Sequence, residues 1–300
     1  MENQYKDKEN ILVINSNKYV ILRTMGKGGF GTIYESYECT SKKKFAIKSS
    51  SNKEQLMHEF KIYQLLHQDS SSYQNGIPHV FDFQQEKDQA FMVLQLLGDS
   101  VQTRHEKLNS KMDFRTTLTL GYRMLSIIEY VHSKGIVHRD LSPDNFLFGL
   151  EEEKENLFLV DFGLAKSYLL ENGDHIPFNP SVSFVGTERF ASKYATARLE
   201  YCRREEIASL CYILIYLAKG SLPWDDFEAD IPRFFYYCLA MKKANVTNEE
   251  LYGELPFDFQ EMISKMLNHA HQIPFADKPD YDFCKQIIYQ TFGIMGYGLL

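Results

Sequence analysis

At 300 residues, 44% of them apolar, the chain is long enough for one large domain or for two lobes around a cleft, which excludes a fibre or a disordered polymer. The formal net charge is −7 and the basic residues are scattered apart from short lysine runs at 42–44 and 242–243, so nucleic acid or an anionic membrane is excluded as the main partner. Five cysteines without a CxxC spacing exclude a disulfide framework and structural zinc, and the polar start and the lack of 18 consecutive apolar residues support neither a signal peptide nor a membrane span; a soluble intracellular protein, cytoplasmic or nuclear, is expected.

Residues 1–16 read as a short extension ahead of one domain at 17–297, itself divided at about residue 97. From Lys18 to Leu97 short β-rich runs (KYVILRTM, TIYESYE, KKFAIKS, AFMVLQLL) alternate with polar or glycine turns around one helix-like stretch, EQLMHEFKIYQLLHQ. After Gly98 amphipathic stretches at about 114–134, 203–218 and 256–269 make the rest mainly helical. The runs FLFGL and LFLVDF, on either side of the charged turn EEEKEN, read as a small hairpin. The expected fold class is therefore α+β, with a small β-rich lobe (17–97) and a larger helical one (98–297). Local disorder is expected at DSSSYQNG (69–76) and over 167–185.

Five chemical motifs lie along this frame. GKGGFGTIY sets Gly26, Gly28, Gly29 and Gly31 between two strands, where the missing Cβ lets backbone amides approach phosphates; alone it is equally an ordinary glycine turn. A dinucleotide fingerprint needs a helix after the glycines and is not supported. Lys48 ends the strand FAIK and reads by itself as a surface lysine, but Glu59 in the helical run is placed to orient it toward α- and β-phosphates. In HRDLSPDN, Asp140 is a candidate acceptor of a hydroxyl proton, and Asn145 together with Asp161 of DFG offers oxygens to Mg²⁺. The hairpin puts Asn145 and Asp161 at opposite strand ends.

All five elements in this order resemble the eukaryotic protein kinases over about residues 17–295. LLGDSV, IEYVHSKGIVHRD, DNFLFG, LFLVDFGLAKSY, HIPF, GTERFAS, CRREEIASLCY and SLPW are similar to the casein kinase 1 group. The resemblance implies a bilobal serine/threonine kinase that uses ATP and Mg²⁺ on protein substrates, as a monomer or part of a complex. It implies an adenine held between Met25, Ile33 and Ala46 on one side and Leu147 and Val160 on the other, with Leu94 as gatekeeper and Gln95 to Leu97 as hinge. It also implies activity without phosphorylation of the activation segment, where Ser181, Ser183 and Thr187 are the candidate acceptors. Trp224 reads as a packing anchor.

The chain departs from that group. Ser142 stands in place of the catalytic-loop lysine, and Asp144 where tyrosine kinases carry an arginine. Glu206 replaces an aspartate that ties down the catalytic loop, so a looser loop is expected. Cys211 replaces a glycine, and Ser192, Lys193 and Tyr194 replace the Ser-Ile-Asn that follows the alanine. The group's anion-binding arginine is matched by Arg189, but its lysine-rich segment reads DDFEADIPRFFYYC here. A pseudokinase serving as a nucleotide-binding scaffold or interaction module is the alternative reading.

Overall fold

The computed structural model describes residues 11–29, 31–68, 75–229 and 231–298. Among them the chain begins with β1 (Ile11–Ile14), β2 (Asn17–Gly28), β3 (Gly31–Glu38), β4 (Lys44–Ser50), α1 (Lys53–Leu66), β5 (Val80–Gln85) and β6 (Ala90–Gln95). The strands form one antiparallel sheet in the order β1-β2-β3-β4-β6-β5. Alternation in the sequence buries one face: Ile14, Tyr19, Phe45, Ile47, Phe91 and Val93 make a single cluster. β1 falls inside the stretch read as an extension and carries the fully buried Ile14 into that cluster. Residues 1–10 lie outside the described residues, as do 69–74 of the stretch expected to be disordered. Helix α1 is capped by Asn52, whose side chain accepts from the Gln55 N–H, and buries Leu56, Glu59, Ile62, Tyr63 and Leu66 along one stripe.

Next come α2 (Val101–Lys107), α3 (Phe114–Ser133), β7 (Ile136–Val137), and the paired β8 (Phe146–Phe148) and β9 (Leu157–Leu159). Then follow β10 (Lys166–Ser167), α4 (Lys193–Thr196), α5 (Arg203–Lys219), α6 (Phe235–Asn245), α7 (Asn248–Tyr252), α8 (Phe257–Gln272) and α9 (Tyr281–Ile294). The chain divides into two compact units, Met1–Asp99 with Leu147–Gly163, and Ser100–Phe146 with Leu164–Leu300. The first is β-rich and the second helical.

In the second unit α5 is buried on every side from Glu205 to Ala218, which makes it the helix around which the others pack, α3 and α8 foremost. Each of its buried Leu and Ile side chains contributes about 1.5–3 kcal/mol. Cys211, the departure from glycine, is filler in this core, beside Cys284. The stretch 167–185, expected to be disordered, is tied down instead. Ile176 N–H donates to the Tyr168 carbonyl (2.9 Å), Val182 N–H to Arg198 (2.9 Å), and Glu200 N–H to Asn179 (2.9 Å). Polar composition suggested mobility there, but these backbone groups are paired across a turn. Among the described residues no helix is long and apolar enough to cross a membrane.

Candidate active site

The first unit assembles a charged cluster around Lys48. Lys48 on β4 lies opposite Ile33 of β3 and Met92 of β6, and only 5% of it is exposed. Its ammonium donates to Glu59 Oε2 at 2.7 Å and to Asp161 Oδ1 at 2.8 Å. Burial works against the Lys48 charge, yet the two carboxylates outweigh it and the pKa is raised. Burial pushes the Glu59 carboxyl up to about 7 against the pull of Lys48, while Asp161 adds to the rise. Asp161 is held at φ +63° between β9 and the fully buried Phe162, whose ring meets Tyr63 of α1 edge-on. About a quarter of the Asp161 side chain stays exposed.

The glycine turn joins β2 to β3, with Gly28 opposite Gly31. Gly31 sits at φ +124°, and a Cβ there would strike the Ser49 carbonyl. At Gly26, Gly28 and Gly29 a Cβ would meet nothing within 4 Å, so packing among the described residues does not ask for glycine there. Met25 and Ile33 on the flanking strands are exposed large apolar side chains, which core packing does not explain either. Ala46 pairs with Leu94 across β4 and β6; Leu94 and Leu97 are buried, and Leu147 and Val160 half-buried. The Gln95 N–H is taken by the His79 carbonyl (2.8 Å), and its side-chain amide by Glu153 of the charged turn.

The second unit builds the loop around Asp140. Asn145 Nδ2 donates to the Asp140 carbonyl (2.8 Å) and Asn145 N–H to the Ser142 carbonyl (3.1 Å), closing a short helical turn, Pro143–Asn145. Asp140 Oδ1 accepts from the Thr187 hydroxyl at 2.7 Å. Next to it Gly186, at φ +95°, lies where a Cβ would strike the Arg139 carbonyl. Arg139 takes φ +68° and donates through Nε to the Leu164 carbonyl (2.7 Å). Burial lowers the guanidinium pKa despite Tyr201, Glu200 and Glu206 beside it.

Glu206 does not hold this loop loosely, as its extra methylene suggested. Its Oε1 accepts the Arg139 N–H at 2.8 Å and its Oε2 meets His132 Nε2 at 2.7 Å, with no part exposed. His132 Nδ1 meets the Tyr281 hydroxyl at 2.6 Å, and the His132 carbonyl accepts from the Tyr168 hydroxyl. The longer side chain is what reaches both donors.

The family model of the protein kinase domain matches residues 19–273. The chain belongs to the protein kinase domain family. Members use ATP and Mg²⁺ and act on proteins. In this kinase, Lys48, Glu59 and Asp161 meet in one cluster, while Asp140, Asn145 and Thr187 meet in another. Ser142 is buried and brings no charge. Neither nearby basic residue named by the motifs is spare: Lys166 pairs with Glu200 (2.7 Å) and Arg189 with Asp225 (2.7 Å). Sequence reasoning missed Thr187 as a partner of Asp140, although GTER beside a glycine of positive φ is a local signal for it. It also missed His132, Tyr281 and Lys243, which carry no local signal.

Proposed function

We propose that the chain is a serine/threonine kinase of the casein kinase 1 type, transferring the γ-phosphate of ATP to protein hydroxyls. The observation that carries this reading is the buried Lys48 ammonium fixed between Glu59 and Asp161. A lysine held by two carboxylates stays charged and aimed, which is what α- and β-phosphates require. The open glycine backbone and the exposed Met25 and Ile33 fit a phosphate chain and an apolar base.

In this proposal Lys48 binds phosphate, Glu59 orients Lys48, and Asn145 and Asp161 offer the hard oxygen ligands that suit magnesium. Bound Mg²⁺ supplies the charge that neutralises the phosphate oxygens during transfer. Asp140 takes the proton of the acceptor hydroxyl; its carboxylate already accepts a hydroxyl hydrogen, that of Thr187. Arg189 is neutralised by Asp225, so a preference for pre-phosphorylated acceptors does not belong to the proposal.

Transfer of labelled phosphate from ATP to casein, present in the wild type and lost in Asp140→Asn, tests it. Without transfer, but with stabilisation by about 2.7 kcal/mol at ATP 100 times its Kd, the pseudokinase reading holds instead. Ser142, with Lys166 and Arg189 both paired elsewhere, favours that second reading. Without either effect both readings fail.

A further inference from the structure

The segment that brings Thr187 to Asp140 is held from outside by donors aimed at its backbone. Lys243 of α6 donates through Nζ to the Glu188 carbonyl and to the Ala191 carbonyl, both at 2.6 Å. Trp224 Nε1 donates to the carbonyl between them, that of Arg189, at 2.7 Å. The side chains are engaged as well. Arg189 turns to Asp225, whose second oxygen accepts the Leu222 N–H, and Glu188 Oε1 accepts from the Tyr236 hydroxyl at 3.1 Å.

Lys243 is an expensive residue for this position. It is 3% exposed, and its ammonium lies 4.8 Å from the Trp224 ring and 5.7 Å from that of Tyr212. Burial pulls its pKa down to about 7, with the charges of Glu188 and Asp225 pulling the other way. An apolar side chain of similar volume would fill the space without that desolvation cost. What a lysine supplies here and an apolar side chain does not is a set of directed donors for two carbonyls on one turn.

We propose that Lys243 is the positioning residue of the acceptor segment, fixing residues 187–191 so that a protein substrate is presented to Asp140. The proposal rests on the kinase reading above and adds to it the residue that governs the protein substrate and not ATP. Trp224 shares the task through its indole N–H, and Arg189 is kept out of it by Asp225.

The test reads two properties of the full chain. Amide hydrogen exchange over 187–191 should speed at least tenfold in Lys243→Met, with exchange in α5 changed less than twofold. In the same variant KM for dephosphorylated casein should rise at least fivefold, while KM for ATP and the ATP-induced rise in Tm stay within twofold. Lys243→Arg, which keeps donors, should recover part of the casein KM. Should Lys243→Met fail to fold, Trp224→Phe removes one donor, keeps an aromatic ring in its place, and should give the same pattern at about threefold. Unchanged exchange, equal movement of both KM values, or a fall in Tm without any change in casein KM overturns the proposal. If the wild type transfers no phosphate, the kinase reading fails by itself. Casein affinity by fluorescence anisotropy then decides the positioning role: a fivefold loss in Lys243→Met supports it and an unchanged Kd overturns it.

Discussion

At the scale of single residues, the proposed transfer should be slowed at Ser142, which is buried and brings no charge. Negative charge spreads over the moving phosphoryl group, and a preorganised cation aimed at it is worth several kcal/mol in a water-poor site. Ser142 offers at most a neutral hydrogen bond, about half as strong as a charge-assisted one. Lys166 and Arg189, two cations of the motifs that follow Asp161, are committed to Glu200 and Asp225. Ser142→Lys should therefore raise kcat on casein by about tenfold, equivalent to about 1.4 kcal/mol, with KM for ATP little changed. Steady-state kinetics at saturating ATP decide it, and an unchanged or lower kcat means the missing charge is not limiting. Glu59 is the second such residue. Glu59→Gln keeps the shape but leaves Lys48 with one carboxylate, and kcat/KM for ATP should fall tenfold or more.

At the scale of elements, α5 shows what could and could not be read in advance. Its span, its apolar character and the carboxylate at 206 are legible, since they depend on composition and period. That Glu206 holds the loop firmly is not, because its partners lie at sequence separations of 67 for Arg139 and 74 for His132, and no local pattern links them. The same holds for Lys243, whose carbonyl partners are backbone atoms and leave no trace in side-chain identity. The Lys48–Glu59 pair was legible because its motifs are short and its strand alternates; the order within 167–185 was not, because backbone pairing is invisible to composition. Glu206→Asp, which restores the family's usual residue, should destabilise this chain. It pulls the carboxylate back from one of two buried donors, a loss of about 1–3 kcal/mol. Thermal denaturation should show a fall of roughly 2–4 °C for each kcal/mol, and kcat should fall with the loosened loop. Equal stability of the two would mean that the longer reach is unnecessary.

For the whole molecule, stability in mild acid should depend on His271. Its Nε2 is buried with no hydrogen-bond partner among the described residues, and burial, then Lys193 and Arg204, bring its pKa down to about 4. Tyr194, one of the departures from the family pattern, lies between the Arg204 guanidinium and the His271 ring. The folded chain resists a proton that the unfolded chain takes up near pH 6.5, so the contribution of His271 to stability is lost as pH falls from about 6.5 to about 4 and is constant outside that window. Allowing for partial exposure, about 2 kcal/mol is at stake. In His271→Gln the drop in Tm between pH 6.5 and 4.5 should shrink by several degrees, and an identical drop in both proteins would assign the acid sensitivity elsewhere. The network of Tyr281, His132, Glu206 and Arg139 has a further consequence, in the order of synthesis. The tyrosine lies 149 residues after the histidine it meets and beyond the span matched by the family model. At about 5–20 residues per second the ribosome delivers it roughly 7 to 30 s after His132. A nascent chain therefore carries the whole signature from the glycine turn to Asp161 before the last support of its catalytic loop exists, and a premature stop codon between codons 163 and 281 would leave that signature intact and that support missing.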